Sequence, residues 1–254
     1  MQGLEQLVLD LGWPTLAAIA AAAVVTSSIH GAIGVAGGLL MTAILALLIG
    51  VRASVPVMSI ALVISHGTRS LLYLPSFDWR ILGVVMVAAT PFIALTGYAY
   101  AALPVDVLAA VLAAIVFAMI PLRHWAAAHK IRAGATTLGA AGAVYGFFAG
   151  ASIGSAAILS PFLLGYGLVK EAFVATMAGI ALSTNAVRIA VFGAVDLVSA
   201  QYVLLGLLVG IIMIPGNYIG RTILRRLSIG QHGMLVDLMA ALGGLNFLYL
   251  ALRG

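Results

Sequence analysis

The chain has 254 residues, of which 64% are apolar and only 7% are charged, and its formal net charge is +5. The charged fraction is far below the roughly 25% of a soluble domain, and the mean hydropathy is +1.21. Such a chain cannot cover a globule with polar surface, so the composition excludes a soluble protein and indicates an integral membrane protein.

Ten apolar segments follow one another, and none shows the alternation of a membrane β-strand. Two of them, 36–50 and 155–168, are short against the roughly 20 residues of a spanning helix, and each follows a glycine-containing break. We therefore expect an all-helical transmembrane domain over residues 1–254, with broken or re-entrant helices after the breaks. The segments are 13–30, 36–50, 54–74, 79–101 and 104–122 in the first half, and 134–150, 155–168, 171–193, 199–221 and 229–252 in the second.

The breaks read IHGAIGVAGGLL (29–40) and GASIGSAAILSP (150–161). In lipid, a broken helix is tolerated only where the freed backbone groups are buried or line a cavity. A helix N-terminus attracts anions, and glycine lets an anion approach the backbone closely. The alternative is that these glycines only allow close helix packing. The break residues that we expect to bind an anionic substrate are Gly37, Gly38, Ser152, Gly154 and Ser155.

A shift of 119 residues superposes the two halves of the chain. It places Arg69 on Arg188, within SHGTR (65–69) and TNAVR (184–188). Each half holds five segments, an odd number, so the repeats are predicted to be inverted, as in many secondary transporters. The predicted parts are repeat one at about 12–123, a cytoplasmic linker at about 123–133, and repeat two at about 134–254.

Basic residues cluster in two loops, 121–132 and 220–228. By the positive-inside rule, both loops should face the cytoplasm. Counting the segments outward then places both termini on the outer face of a bacterial inner membrane, with the chain crossing it several times. The residues that carry this argument are Arg123, Lys130, Arg132, Arg221, Arg225 and Arg226.

Arg69 and Arg188 lie inside apolar segments, where an arginine costs roughly 2.5–3.5 kcal/mol on insertion scales. A guanidinium donates two parallel hydrogen bonds to carboxylate, sulfite or sulfonate. We interpret the pair as one guanidinium on each side of a central anion site, and the alternative is that both snorkel to the interface. Residues three and four positions earlier share a helix face with each arginine. These further predicted site residues are Ser65, His66, Thr184 and Asn185.

His30, beside the first break, and Asp237, in the last segment, are candidates for proton coupling. His30 equally fits a histidine satisfied by backbone carbonyls, and Asp237 equally fits a paired group near the cytoplasmic interface. No acidic residue lies deep enough in a segment to be an obvious partner for a proton or sodium ion, so the coupling ion stays open.

Together these features resemble the TauE/SafE sulfite exporter family, also called the 4-toluene sulfonate uptake permeases. The resemblance rests on HGAIGVAGGLL (30–40), GFFAGASIGSAAILSPFLLGYGLVKEAFVATMAG (146–179) and GAVDLVSAQYVLLGLLVG (193–210), and it covers nearly the whole chain. It implies a secondary transporter of sulfite, an organosulfonate or a related small anion, working by alternating access around a midplane site. The glycine pattern is reduced to Gly37-Gly38 and to Gly154-Ser155-Ala156, which leaves the substrate open.

Other functions fit the residues less well. An intramembrane enzyme would need a nucleophile with a base or a metal cluster, and neither HExxH nor GxSxG is present. A cation transporter would need carboxylates where this chain has arginines. A channel, or a carrier for another anion such as a carboxylate, shares the features above. We expect a small anionic substrate and the lipid bilayer as partners, without cofactor, metal or nucleic acid, and a homodimer is compatible with the sequence.

Overall fold

The computed structural model describes residues 2–33, 36–129, 133–168, 170–224 and 229–253. Within these ranges the chain forms ten α-helices, one short 3-10 turn (Leu74–Ser76) and no strand, so the predicted all-helical fold is confirmed. The helices are α1 (Gln2–Ile33), α2 (Ala36–Ile49), α3 (Val51–Leu72), α4 (Trp79–Ala102), α5 (Val105–Ala128), α6 (Ala135–Ala149), α7 (Ala156–Tyr166), α8 (Lys170–Ala194), α9 (Ala200–Leu224) and α10 (Ile229–Arg253).

Several residues used in the sequence analysis are outside these ranges. Lys130, Arg132, Arg225 and Arg226, which carry much of the predicted orientation, lie outside the described residues, as does Gly34 of the first break.

The helices follow the ten predicted segments, because each segment is a continuous apolar run, but two ends differ. α1 begins at Gln2, and Gly12 interrupts its helical backbone with φ 75° and ψ 152°, a conformation that glycine adopts without steric cost. Helix resumes after Gly12, where the first segment was predicted to start. α5 continues to Ala128, into the segment 123–133 that was predicted as a linker, because its last residues are alanines, the best helix formers.

Among the described residues, five helices are long and apolar enough to cross a membrane: α1, α3, α4, α5 and α8. α2 and α7 are short, as predicted, with 14 and 11 residues, and α6 has only 15. Between α6 and α7 the backbone leaves the helix over residues 150–155, where Gly154 has a positive φ of 97°.

The helices pack in pairs around a buried centre. α1 packs along α9, α4 along α6 and α5 along α10, while α3 packs against both α8 and α9. In α3 and α8, 72% and 56% of the most apolar stretch is buried, against 11% in α1. α3 and α8 are therefore the central helices, and they carry Arg69 and Arg188.

Candidate functional site

A small cavity lies between α3 and α8, bounded by the end of α1 and by the break at 150–155. Its volume is about 50 Å³, which is room for roughly three to five water molecules or one small anion. The predicted site residues that line it are His30, His66, Arg69, Ser152, Gly154, Ser155, Thr184, Asn185 and Arg188.

The periodicity of two helices brings these side chains together. His66 and Arg69 are three residues apart on α3, and Asn185 and Arg188 are three apart on α8, so each pair shares one helix face. The two helices pack on each other, and both faces line the cavity. We call His30, His66 and Arg69 the first-half wall. Thr184, Asn185 and Arg188 form the second-half wall.

Arg188 is only 2% exposed, and protein acceptors bind all of its N–H groups. Its Nε donates to the carbonyl oxygen of Ala149 at 3.0 Å, and its Nη2 donates to the same oxygen and to the carbonyl oxygen of Ser152, the latter at 3.1 Å. Its Nη1 donates to Ser59 Oγ at 3.0 Å and to Asn185 Oδ1 at 3.1 Å. A guanidinium has five N–H donors, so this one is fully occupied.

The other polar groups of the second-half wall are occupied as well. Asn185 accepts from Arg188 through Oδ1 and donates through Nδ2 to the carbonyl of Ala181 at 2.7 Å. The hydroxyl of Thr184 lies 2.8 Å from the hydroxyl of Tyr145 and donates to a carbonyl one turn earlier on α8. This wall is a connected hydrogen-bond network in which every side-chain nitrogen and oxygen atom has a partner.

The first-half wall is different. His30 and His66 are 2% and 7% exposed, and their rings meet edge to face with centroids 5.7 Å apart. Both ring nitrogens of His30 and Nδ1 of His66 are buried and have no hydrogen-bond partner among the described residues. Arg69, which is half-buried, makes no hydrogen bond within the described part of the chain. Polar groups without any hydrogen-bond partner among the described residues therefore collect on one side of the cavity.

The charge of the cavity is positive. Two guanidinium groups line it, and none of its described lining residues is Asp or Glu. Nor do three or more His, Asp or Glu side chains come together as a metal site anywhere in the described ranges. The arrangement offers fixed positive charge and N–H donors, which is the chemistry that binds an oxyanion.

Comparison with known protein families identifies the family of this chain. Residues 19–247 match the family model described as "Sulfite exporter TauE/SafE". The chain belongs to the TauE/SafE family. This family consists of membrane transporters of sulfur anions, so this TauE/SafE chain is a multi-pass membrane protein of a transporter family rather than of an enzyme family. Neither the curated proteins nor the solved structures contain a significant match.

Four predicted site residues of the TauE/SafE chain lie outside the cavity lining. Gly37 faces α1, because a Cβ added to it would lie 2.5 Å from the Cβ and N of His30, and Gly38 faces side chains of α3 and of the second break. Both positions fit the packing alternative. Asp237 pairs with His124 at 2.8 Å, a contact that is largely exposed. Ser65 is buried but does not line the cavity.

Two residues of the TauE/SafE site were missed in the sequence. Ser59 accepts from Arg188, and Tyr145 binds Thr184. Tyr145 could have been predicted, since it carries the one side-chain hydroxyl within the apolar run 138–149. Ser59 could not, because its partner comes from another helix and the spacing along the chain does not show that contact.

Proposed function

We propose that this chain is a secondary transporter that moves a small sulfur-containing anion, such as sulfite or an organosulfonate, across a bacterial inner membrane. The positive charge of the cavity supports this proposal most directly. Arg69 and Arg188 both line the cavity, and its described lining contains no acidic residue. A buried cation without a counter-ion is costly, and an anion in the cavity removes that cost. A cation or metal ion would add to it.

The choice of anion rests on the family. The planar fork of arginine suits sulfite, sulfonate and carboxylate alike, so the cavity alone leaves a carboxylate as the alternative. The TauE/SafE family match favours a sulfur anion.

Inverted repeats are supported by the packing partners of the helices. If α1–α5 correspond to α6–α10, a two-fold axis maps the contact of α1 with α9 onto that of α6 with α4. It also maps α3 with α9 onto α8 with α4, and both pairs of contacts are present. The contacts of α3 with α8 and of α5 with α10 map onto themselves. Repeats of this kind suit alternating access around a central site.

The contacts that follow the two arginines differ between the two halves of the protein. Phe192 lies one turn after Arg188, and its ring packs against Tyr100 with centroids 5.1 Å apart, both side chains being fully buried. The equivalent positions, 119 residues away, are Tyr73, which is half-buried, and Ile219, which is 50% exposed. In the predicted orientation, with both termini outside, the Tyr100–Phe192 end faces outward and is closed.

The test is transport by the purified full-length protein in liposomes loaded with sulfite, taurine, methanesulfonate or acetate. We expect saturable exchange of labelled sulfite against internal sulfite or a sulfonate. Flux that rises linearly with concentration would indicate a channel. Exchange of acetate alone would identify a carboxylate carrier, and transport of cations alone would overturn the proposal.

A further inference from the structure

We propose that the transported anion is held by the first-half wall, Arg69 with His30 and His66, and that Arg188 is a positioning residue that does not contact it. This inference rests on the proposed function and gives the two equivalent arginines different roles. It departs from the symmetric expectation of one guanidinium on each side of the anion.

The guanidinium of Arg188 has no donor left for an anion. All five of its N–H donors already bind protein acceptors, four different oxygens in total. An anion would have to displace one of these bonds to reach the guanidinium. Displacement of the bonds to the carbonyl oxygen of Ala149 would leave that buried oxygen without a partner among the described residues, which is unfavourable.

Arg188 binds backbone carbonyl groups at the end of α6 and in the break that follows. Ala149 is the last residue of α6, and Ser152 lies in the break that follows. The last four carbonyl groups of a helix have no partner within it, and a cation at that end is stabilising. Arg188 therefore caps α6 and fixes the path of the chain toward Gly154 and Ser155, which line the cavity.

The first-half wall, in contrast, carries polar groups without a partner among the described residues. Buried polar atoms without a partner are rare in proteins, yet His30 and His66 together have three among the described residues. Each imidazole donates through at least one ring nitrogen, and a guanidinium donates a parallel pair of hydrogen bonds. With the two rings 5.7 Å apart beside Arg69, three donor groups converge on one small ligand. This number suits an anion with three oxygens, such as sulfite or a sulfonate.

The experiment compares charge-conserving variants of the full-length protein. Sulfite affinity is measured by titration calorimetry, apo stability by melting temperature, and turnover by sulfite exchange in liposomes. Arg69→Lys should weaken sulfite binding roughly tenfold or more by removing bidentate contacts, without lowering the melting temperature. Arg188→Lys should keep a sulfite Kd near that of the wild type but lower both the melting temperature and the saturated exchange rate.

Two further variants complete the design. Arg52→Lys is the matched control, since Arg52 is an exposed arginine on the same helix as Arg69 and donates to the carbonyl of Leu103. It should change none of the three measurements. If Arg188→Lys does not fold, Ser59→Ala removes one acceptor of Arg188 and should likewise preserve sulfite affinity.

The outcomes separate this inference from the proposed function. Sulfite affinity that falls as much in folded Arg188→Lys or Ser59→Ala as in Arg69→Lys would overturn the inference and leave the transporter proposal standing. Unchanged affinity in Arg69→Lys would also overturn it. A wild-type protein that binds none of sulfite, taurine, methanesulfonate and acetate would overturn the proposed function itself.

Discussion

The guanidinium of Arg188 holds the carbonyl oxygen of Ala149 through two of its nitrogens and so closes the C-terminal end of α6. Arg188→Met removes that cap and leaves the buried carbonyl of Ala149 unpaired, at a cost of about 1–3 kcal/mol. We expect a clear fall in the melting temperature of the ligand-free protein. Arg69→Met should cause no such fall, because Arg69 has no hydrogen bond to lose in the described structure. Equal destabilisation by the two substitutions would contradict the asymmetry.

Gly37 is required for the contact between α1 and α2. A Cβ at this position would lie 2.5 Å from the backbone nitrogen of His30, so Gly37→Ala should push α1 and α2 apart, lower the melting temperature and displace His30 from the cavity. Gly67→Ala is the matched control, because Gly67 is next to His66 and a Cβ there meets nothing within 4 Å. That variant should be neutral or gain up to about 1 kcal/mol. A Gly37→Ala protein with unchanged stability would contradict the packing role of Gly37.

Much of the fold could be predicted from the sequence, because helices that lie in lipid consist of continuous apolar segments. The ten predicted segments correspond to the ten helices, and the short segments after the breaks correspond to α2 and α7. The helix before Gly12 was missed, because residues 2–11 include charged residues and form a short helical stretch separate from the apolar segment. The end of α5 was missed because a basic loop was expected where alanines continue the helix.

Only part of the candidate site could be predicted from the sequence. The equivalence of Arg69 and Arg188 and their shared faces follow from spacing, and both side chains line one cavity. The different hydrogen-bond partners of the two arginines could not be predicted. Arg188 binds the backbone carbonyl of Ala149, and because every residue has such a group, the sequence does not indicate which one is bound. Gly37 and Gly154 look alike in sequence, yet only Gly154 lines the cavity, because the direction of each glycine depends on which helix packs against it.

Tyr145 fixes Thr184 within the second-half wall through a hydroxyl–hydroxyl contact of 2.8 Å. Tyr145→Phe should cost about 1 kcal/mol, the usual net value of one such hydrogen bond. A double-mutant cycle with Thr184→Val isolates the coupling between the two side chains, measured as free energies of unfolding in one detergent. We expect the double variant to be less destabilised than the sum of the two single variants. Strict additivity would mean that the contact contributes nothing to stability.

The packing of Tyr100 against Phe192 can be tested by cross-linking, because the chain has no cysteine and needs no background substitutions. With Tyr100→Cys and Phe192→Cys, a short bis-methanethiosulfonate cross-linker, which bonds both thiols through disulfides, should stop sulfite exchange in liposomes, and reductant should restore it. The reason is that alternating access must separate these side chains for the anion to pass. The control pair, Tyr73→Cys with Ile219→Cys, occupies the equivalent positions at the more exposed end and should cross-link poorly. Full sulfite exchange by the cross-linked Tyr100–Phe192 pair would show that this end of the protein does not open during transport.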